Sequence, residues 1–204
     1  LHARDTSELL EEEPLDFSLM QENLRTIEQS VMRIDRIVLD LMDTVSIEQG
    51  RLALSLVPSD LSGLLYSAKK DYCSHPSSKN NQLVLTTQSG LPEISADPER
   101  LIQVVTNLIS NADRHTQNGT ITISLTGEPG WQTICVSDTG TGMSEEMRKN
   151  ALKGYVSADK DYWRHGIGLY VCHQIITAHG GKIWLKSKEG EGTQVFFSLP
   201  EEES

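Results

Sequence analysis

Two asparagines stand one helical turn apart in a segment with helical apolar spacing. Asn107 and Asn111 are four residues apart, so in a helix both amides would project from one face. Asparagine is a poor helix former, and its amide oxygen suits a cation. Arg114, three residues further on, adds a group that can meet a phosphate. The pair indicates a cation or phosphate site; the alternative is a solvated helix face that carries two asparagines.

A glycine-rich loop follows an apolar stretch at Ser137–Met143. Gly140 and Gly142, one residue apart, allow the backbone to turn sharply and to come close to a ligand. Asp138, at the end of a predicted strand, can accept a hydrogen bond from an amino group such as that of adenine. A plain strand-to-helix turn is the alternative. A dinucleotide-binding loop is excluded because the third glycine and its βαβ setting are missing.

A second glycine pair, Gly166 and Gly168, opens a predicted helix. Unpaired backbone N–H groups at a helix N-terminus form an anion site. The preceding segment, 157–164, is polar and irregular, as expected of a flap over a bound nucleotide. Taken alone, this motif is as ambiguous as the other two.

The elements that must position these motifs alternate between strand and helix. Leu52, Leu54 and Leu56 alternate with polar residues and predict a strand. A turn at 58–60 precedes a predicted helix at 61–72, and Asp97-Pro98-Glu99 has the composition of a helix start. Further strands are predicted around 83–85, 94, 121–125, 133–137, 183–185 and 195–199, with helices after Ser144 and over 166–179. Residues 51–204 are therefore predicted to form a two-layer α/β sandwich of the α+β class.

Residues 1–50 have a different pattern. Eight apolar residues recur at an average spacing of 3.5, which is typical of a coiled coil or four-helix bundle: Met20, Leu24, Ile27, Val31, Ile34, Val38, Leu41 and Val45. One such helix needs a hairpin partner or a second subunit to bury its apolar stripe. The segment Ser7–Glu13 resembles the end of a preceding helix. We expect residues 1–50 to be a partial helical hairpin of a dimeric bundle, whose first helix is truncated or degenerate.

Composition excludes some classes of partner. The net charge is −11, whereas a nucleic-acid surface needs clustered Lys and Arg, so no nucleic-acid partner is expected. The three cysteines lack metal-type spacing, and their odd number without a signal peptide indicates a reducing compartment. No apolar run approaches the roughly 18 residues of a membrane span. We expect a cytoplasmic location, with any membrane tether in an upstream region.

In this order, the three motifs resemble the N, G1 and G2 boxes of the histidine-kinase ATPase superfamily. Gly180–Ile183 and Gly190–Thr193 complete the resemblance, which covers about residues 52–200. The end of the upstream helix, Leu41–Ser46, looks like the second helix of a kinase dimerisation and phosphoacceptor domain. The resemblance implies a mixed sheet packed on helices with a Bergerat-type ATP site.

The resemblance also implies roles for individual residues. Asn111 would bind Mg²⁺, with Asn107 in or beside its coordination shell. Arg114 would face the phosphates, His115 would lie near the sugar and phosphates, and Asp138 would accept from the adenine amino group. The implied ATP-contacting positions are Asn107, Asn111, Arg114, His115, Asp138, Gly140, Gly142, Met143, His165, Gly166, Ile167, Gly168, Leu169 and Thr193.

The family's reaction transfers the γ-phosphoryl group of ATP to a histidine on the bundle and then to an aspartate of a response regulator. The implied partners are thus a response-regulator receiver domain and a second copy of the chain. His2 is the upstream phosphoacceptor candidate, but Ala3 stands where the family has an acidic residue. The acceptor is therefore expected to be removed or lost, with a working His2 as the alternative. The lid is also short, with Arg164-His165 directly before Gly166.

Three other functions remain open from the sequence. An ATP-hydrolysing member, as in gyrase-type or chaperone ATPases, usually has Glu at the first N-box position as a base for water, and Asn107 favours transfer instead. A degenerate module that dimerises and docks a partner without phosphorylation is kept open by Ala3. An anti-sigma-factor serine kinase is disfavoured because such proteins lack the long seam helix.

Overall fold

The structure is a computed structural model that describes Met20 and residues 52–74, 79–152 and 167–201 of the 204-residue chain. The chain divides into two units, Leu1–Met42 and Asp43–Ser204, and the elements below belong to the second. The predicted bundle helix, the domain boundary after residue 50, His2, the lid at 157–164, His165 and Gly166 lie outside the described residues. They stay predictions. Within the described part, no helix is long and apolar enough to cross a membrane.

Seven strands and four helices make up the described part of the chain. The strands are β1 (Val57–Ser59), β2 (Gln82–Thr87), β3 (Ile94–Ala96), β4 (Thr120–Glu128), β5 (Trp131–Asp138), β6 (Lys182–Ser187) and β7 (Thr193–Pro200). The helices are α1 (Leu61–Ser74), α2 (Pro98–His115), α3 (Glu145–Asn150) and α4 (Ile167–Ala178).

Five strands form one mixed sheet in the order β2-β4-β5-β7-β6, and β1 pairs with β3 in a separate two-stranded sheet. The β2–β4 pair is parallel, whereas β4–β5, β5–β7 and β6–β7 are antiparallel. The register places Asp138, the last residue of β5, opposite Thr193, the first residue of β7. It also places Ser187, the last residue of β6, opposite Thr193. Three strand ends therefore meet at one edge of the sheet.

The hydrophobic core lies between one face of the sheet and the helices. In β4, Ile121, Ile123 and Leu125 are fully buried, while the residues between them are partly exposed, because successive side chains point to opposite faces. The apolar sides of α1, α2 and α4 belong to the same core cluster. The predicted two-layer α+β sandwich is confirmed.

The predicted strand at Leu52–Leu56 is wrong. Within the part of the chain that the structure describes, residues 52–56 have no strand partner. The first described strand is Val57–Ser59, which pairs with the three-residue strand β3. The backbone N–H of Ser55 donates instead to Asp97 Oδ2, at 2.9 Å. Leu52 packs against the core, but Leu56 is 52% exposed. The alternation of these leucines therefore reflects the partial burial of an irregular segment and not a β-strand.

The helix that carries the two asparagines is anchored at its N-terminus by Asp97. Asp97 Oδ1 accepts from Arg100 N–H at 3.1 Å, as the side chain of an N-cap residue does, and Asp97 Oδ2 accepts from Ser55 N–H. The backbone N–H of Asp97 donates to Nε2 of His179, whose Nδ1 donates to the carbonyl of Ile175. The start of α2 is therefore bonded to the residue that follows α4.

These contacts set the ionisation of Asp97. Burial alone would raise the pKa of its carboxyl, but the N–H groups of Ser55, Arg100 and Glu99 and the neighbouring His179 outweigh it and lower the pKa. A lowered pKa in the folded state adds stability above the pKa of the unfolded chain. That stability is lost as the pH falls through the folded pKa.

We expect Asp97→Ala to lower the free energy of unfolding by about 2 kcal/mol at neutral pH, because it removes a cap and a long-range bond together. Asp60 is the matched control. Asp60 also caps a helix, because its carboxylate accepts from Ser62 and Gly63 N–H, but it is exposed. Within the described residues, these side-chain bonds reach only two and three residues along the sequence. Asp60→Ala should cost about 1 kcal/mol or less.

Urea unfolding at several pH values measures both variants. The excess cost of Asp97→Ala should shrink as the pH falls through the lowered pKa of the wild-type carboxyl, because the protonated group no longer contributes this stability. Equal costs for the two variants at neutral pH would contradict the anchoring role of Asp97.

Candidate functional site

A buried carboxylate occupies the end of β5. Asp138 is 8% exposed, and its Oδ1 accepts from Gly140 N–H at 2.9 Å and from Thr193 N–H at 3.3 Å. Within residues 52–74, 79–152 and 167–201, no donor contacts Oδ2. One oxygen thus holds two loops together, and the other can accept from a ligand.

The environment of Asp138 favours a ligand with an N–H donor. Burial raises the pKa of its carboxyl, and the N–H groups of Gly140 and Thr193 and the nearby His115 offset this only in part. A buried carboxylate with few hydrogen-bond donors is stabilised by an additional donor, because each hydrogen bond favours the ionised form. An amino group that donates to Oδ2 would therefore be bound more tightly than in water.

Glycines allow the loop after β5 to pack against its neighbours. A methyl group added to Gly140 would lie 2.2 Å from the carbonyl oxygen of His115, the last residue of α2. Gly142 has a φ of +66°, and an added methyl group would lie 2.0 Å from the Lys188 carbonyl oxygen. The N–H of Thr141 donates to the same His115 carbonyl at 3.1 Å. The loop is therefore held between α2 and the β6–β7 turn.

The β6–β7 turn brings Thr193 to the carboxylate. Gly192 has a φ of +82°, and a methyl group added there would lie 2.0 Å from the backbone oxygen of Asp138. This close approach lets Thr193 N–H reach Asp138 Oδ1. Thr193 itself is buried beside this carboxylate. The structure thus brings together four predicted residues: Asp138, Gly140, Gly142 and Thr193.

Sequence reasoning missed Ser187, which joins the two loops. Its hydroxyl accepts from Met143 N–H at 2.8 Å and donates to the Gly192 carbonyl at 2.9 Å. Its Oγ also lies 3.0 Å from Thr193 Oγ1. The available signal was a polar residue at the end of an alternating strand, in hairpin register with Thr193.

The asparagine helix lies against α4. Asn107 is 3% exposed, and a methyl group added to Gly168 would lie 3.7 Å from its Oδ1. Asn111, one turn later, is half-buried, and Leu169 in α4 is buried in the core. Asn107 is thus more enclosed than an open polar helix face would be. The helix start at Ile167 is described, but its side chain is not.

The last turn of α2 carries Arg114 and His115, both exposed, and it is fixed from outside the helix. Asn81 Nδ2 donates to Asp113 Oδ1 at 2.9 Å and to the Thr116 carbonyl at 3.0 Å. Its Oδ1 accepts from Gly119 N–H at 3.1 Å. Asn81 was not predicted, because only the tertiary fold brings it to this helix end.

The asparagine face fits a metal ion that arrives with a phosphate ligand. Among the described residues, no group of three or more His, Cys, Asp or Glu could hold a metal on its own. Amide oxygens supply oxygen ligands without charge, and Mg²⁺ is commonly held by a few protein oxygens, water and substrate phosphates. Asn107 and Asn111 are compatible with that kind of site.

Residues 96–203 match the profile of the "Histidine kinase-, DNA gyrase B-, and HSP90-like ATPase" family. This segment contains α2, both described glycine loops and Thr193. It comprises more than half of the 204-residue chain.

Individual proteins of known function or structure are similar to this chain. The adaptive-response sensory kinase SasA of Synechococcus elongatus is 39% identical over 127 residues, which are 60% of this chain and 33% of that protein. Full-length ShkA, crystallised in complex with AMPPNP, has a TM-score of 0.73 and 25% identity over 88% of this chain and 38% of its own. The histidine kinase ThkA, in complex with the response regulator protein TrrA, shares the fold with a TM-score of 0.67 and 22% identity, over 96% and 54% of the two chains. The chain therefore spans only part of each.

The two glycines of the β6–β7 turn provide a matched test of the site's construction. Both have positive φ, but a methyl group at Gly190 would meet nothing within 4 Å, whereas at Gly192 it would meet Asp138. We expect Gly190→Ala to cost about 1 kcal/mol of stability from backbone strain alone. Gly192→Ala should cost at least about 3 kcal/mol, because the strand ends must also separate. Urea unfolding of both variants measures the difference, and similar costs would contradict the close approach.

Proposed function

The chain belongs to the histidine kinase-, DNA gyrase B- and HSP90-like ATPase family, and we propose that it is the ATP-binding catalytic part of a two-component sensor histidine kinase. The observation that carries this proposal is the buried carboxylate of Asp138, one oxygen of which is bonded to two loops while the other can accept from a ligand. Its position beside two required glycines suits a flat base with an exocyclic amino group.

The base end of the proposed site is formed by the loop after β5 and the β6–β7 turn. Asp138 accepts from the adenine amino group, Gly140 and Gly142 leave room for the ring, and Met143 and Thr193 line the pocket. Asp138 and Thr193 are buried, and the other three residues are half-buried. Limited access of water to Asp138 strengthens its hydrogen bond to the base.

The phosphate end is proposed to lie along α2 and at the start of α4. Asn111 and Asn107 would hold Mg²⁺, which neutralises charge on the phosphates during transfer. Arg114 and His115, fixed by the contacts at the end of α2, would face the phosphates and sugar. Gly166, Gly168 and the neighbouring residues His165, Ile167 and Leu169 would present backbone N–H groups at the N-terminus of α4.

The proposed reaction moves the γ-phosphoryl group to a histidine Nε2 on the helical bundle, and then to an aspartate of a response regulator. Asn107 is the observation that favours transfer over hydrolysis. Its neutral amide is buried where a hydrolytic enzyme of the family would need a base for water. The similarity to a sensory kinase, and to a kinase solved with a response regulator protein, supports this choice. A second copy of the chain, bound through the bundle helix, is proposed from the apolar spacing of residues 20–45. A non-phosphorylating ATP-binding module is the second candidate, since Ala3 replaces the acidic neighbour of His2.

Asp138→Asn should weaken nucleotide binding strongly without harming the fold. The amide oxygen can still accept from Gly140 and Thr193, but the amide NH₂ would oppose the adenine amino group. We expect the affinity for Mg·ATP to fall at least about tenfold, as measured by calorimetry. Glu128→Gln, an exposed carboxylate at the far end of β4, is the control and should bind like the wild type.

The free energy of unfolding shows whether Asp138→Asn loses nucleotide binding alone or also loses its fold. Because burial raises the pKa of Asp138, its contribution to stability is full below the unfolded pKa and is lost as pH rises through the folded pKa. The neutral amide should therefore leave the free energy of unfolding at pH 7 unchanged or higher. Wild-type ATP affinity should fall on acidification as Asp138 protonates. Full affinity in Asp138→Asn would disprove the assignment of the base site.

Phosphotransfer is tested with γ-labelled ATP and Mg²⁺ on this chain, on a version extended upstream, and on His2→Gln. We expect an acid-labile, base-stable label in the extended version, and none after chelation of Mg²⁺ or in Asp138→Asn. Label in this chain that disappears in His2→Gln would identify His2 as the acceptor. No label in any version, with ATP binding intact, would overturn the kinase proposal in favour of the non-phosphorylating module.

A further inference from the structure

The hydroxyl of Ser187 lies where both sides of the base site meet. It contacts the loop after β5 through Met143 N–H, the β6–β7 turn through the Gly192 carbonyl, and Thr193 through its Oγ1. Thr193 N–H is bonded in turn to Asp138 Oδ1. A single side chain therefore connects the loop after β5 with the β6–β7 turn, the two segments whose N–H groups bond to Asp138.

The direction of these bonds can be assigned from donor counting. A serine hydroxyl has one proton and can accept from two donors. Because the Gly192 carbonyl can only accept, the Ser187 proton points to it, and Met143 N–H must donate to Ser187. The remaining contact, to Thr193, then has only one solution: Thr193 donates its proton to Ser187.

This assignment fixes the chemical character of the Thr193 hydroxyl. With its proton held by Ser187, Thr193 Oγ1 can accept a hydrogen bond but cannot donate one to a ligand. Asp138, whose Oδ1 accepts from Thr193 N–H, presents a further acceptor in its Oδ2 when the carboxyl is ionised. At the proposed base site these two side chains therefore offer a ligand only acceptors, as long as Ser187 holds the threonine proton.

We infer that Ser187 is a positioning residue that sets the base selectivity of the nucleotide site by keeping Thr193 an acceptor. This inference rests on the proposed function. A pair of acceptors suits a purine with an amino group at the ring position that faces it, as in adenine. Hypoxanthine has a carbonyl at that position, so its oxygen would face the acceptor oxygens of Thr193 and Asp138. No hydrogen bond could form between them, and these polar groups would be unpaired in a buried site.

The test compares Mg·ATP and Mg·ITP binding by calorimetry in the wild type and in Ser187→Ala. Without Ser187, the Thr193 hydroxyl can rotate and donate to the inosine carbonyl. We expect ATP affinity to fall about tenfold and ITP affinity to stay level or rise, so that the ATP:ITP affinity ratio falls at least about tenfold. Ser187→Thr keeps a hydroxyl and should retain the wild-type ratio.

Two further variants make the result specific. Ser67→Ala also removes a hydroxyl that donates to a backbone carbonyl, but on the exposed side of α1, and should leave both affinities unchanged. Thr193→Val removes the second member of the pair and should lower the ratio too. If Ser187 acts through Thr193, the double variant should lower the ratio no further than the larger single effect. Thr193→Val also tests the inference should Ser187→Ala fail to fold.

Each outcome has a distinct meaning. A wild type that binds neither nucleotide disproves the proposed function itself. A wild type that prefers ATP, with a Ser187→Ala variant that loses ATP and ITP affinity by the same factor, overturns this inference and leaves Ser187 a merely structural role. Additive effects of Ser187→Ala and Thr193→Val on the ratio would also overturn it.

Discussion

Burial of the Asp138 charge is the constraint on which this edge of the molecule depends. A carboxylate removed from water needs donors, and here two backbone N–H groups from different loops converge on one oxygen. That convergence requires β5 and β7 to end in register and Gly192 to approach the Asp138 carbonyl. It leaves the second oxygen of the same carboxylate without a described donor, which is the property that a ligand can use. Structural support and binding capacity thus come from one group.

The second constraint is the placement of α2, which spans the distance from the two-stranded sheet to the base site. At its start, Asp97 is bonded both to the irregular segment before β1 and to His179. At its end, Asn81 holds the last turn, and the His115 carbonyl receives the loop after β5. Because a helix is stiff along its axis, fixing both ends also fixes Asn107 and Asn111 between them. The phosphate and base ends of the proposed site are therefore positioned by one element.

The sequence predicted those features that depend on local chemistry. Alternation identified β4 and β5, and Asp97 before Pro98 identified the start of α2 at the correct residue. Alternation failed where a strand needs a distant partner: the leucines at 52–56 alternate, but none of the described strands pairs with them. The roles of Ser187 and Asn81 were missed for the same reason, because neither residue belongs to a local motif. Ser187 bonds to Met143, which is 44 residues away in the sequence, and Asn81 bonds to Asp113, which is 32 residues away. The burial of Asn107 likewise depends on the packing of α4, which spacing within α2 does not reveal.

Main-chain atoms make most of the contacts that shape the base site, and this explains why so few positions identify it. Backbone N–H groups and carbonyls can be supplied by any residue, so they place little restriction on the side chains of the loops. The restricted positions are those where a side chain would collide, such as Gly140 and Gly192, or where a particular polar atom is needed, such as Asp138 and Thr193. Spaced along the chain, these few residues form the pattern that carried the family resemblance. Ser187 satisfies the same physical criterion, because its one proton and two lone pairs are all used. With the Thr193 proton held as inferred, Ser187 sets the chemistry of the proposed site through Thr193, although it belongs to none of the motifs that carried the resemblance.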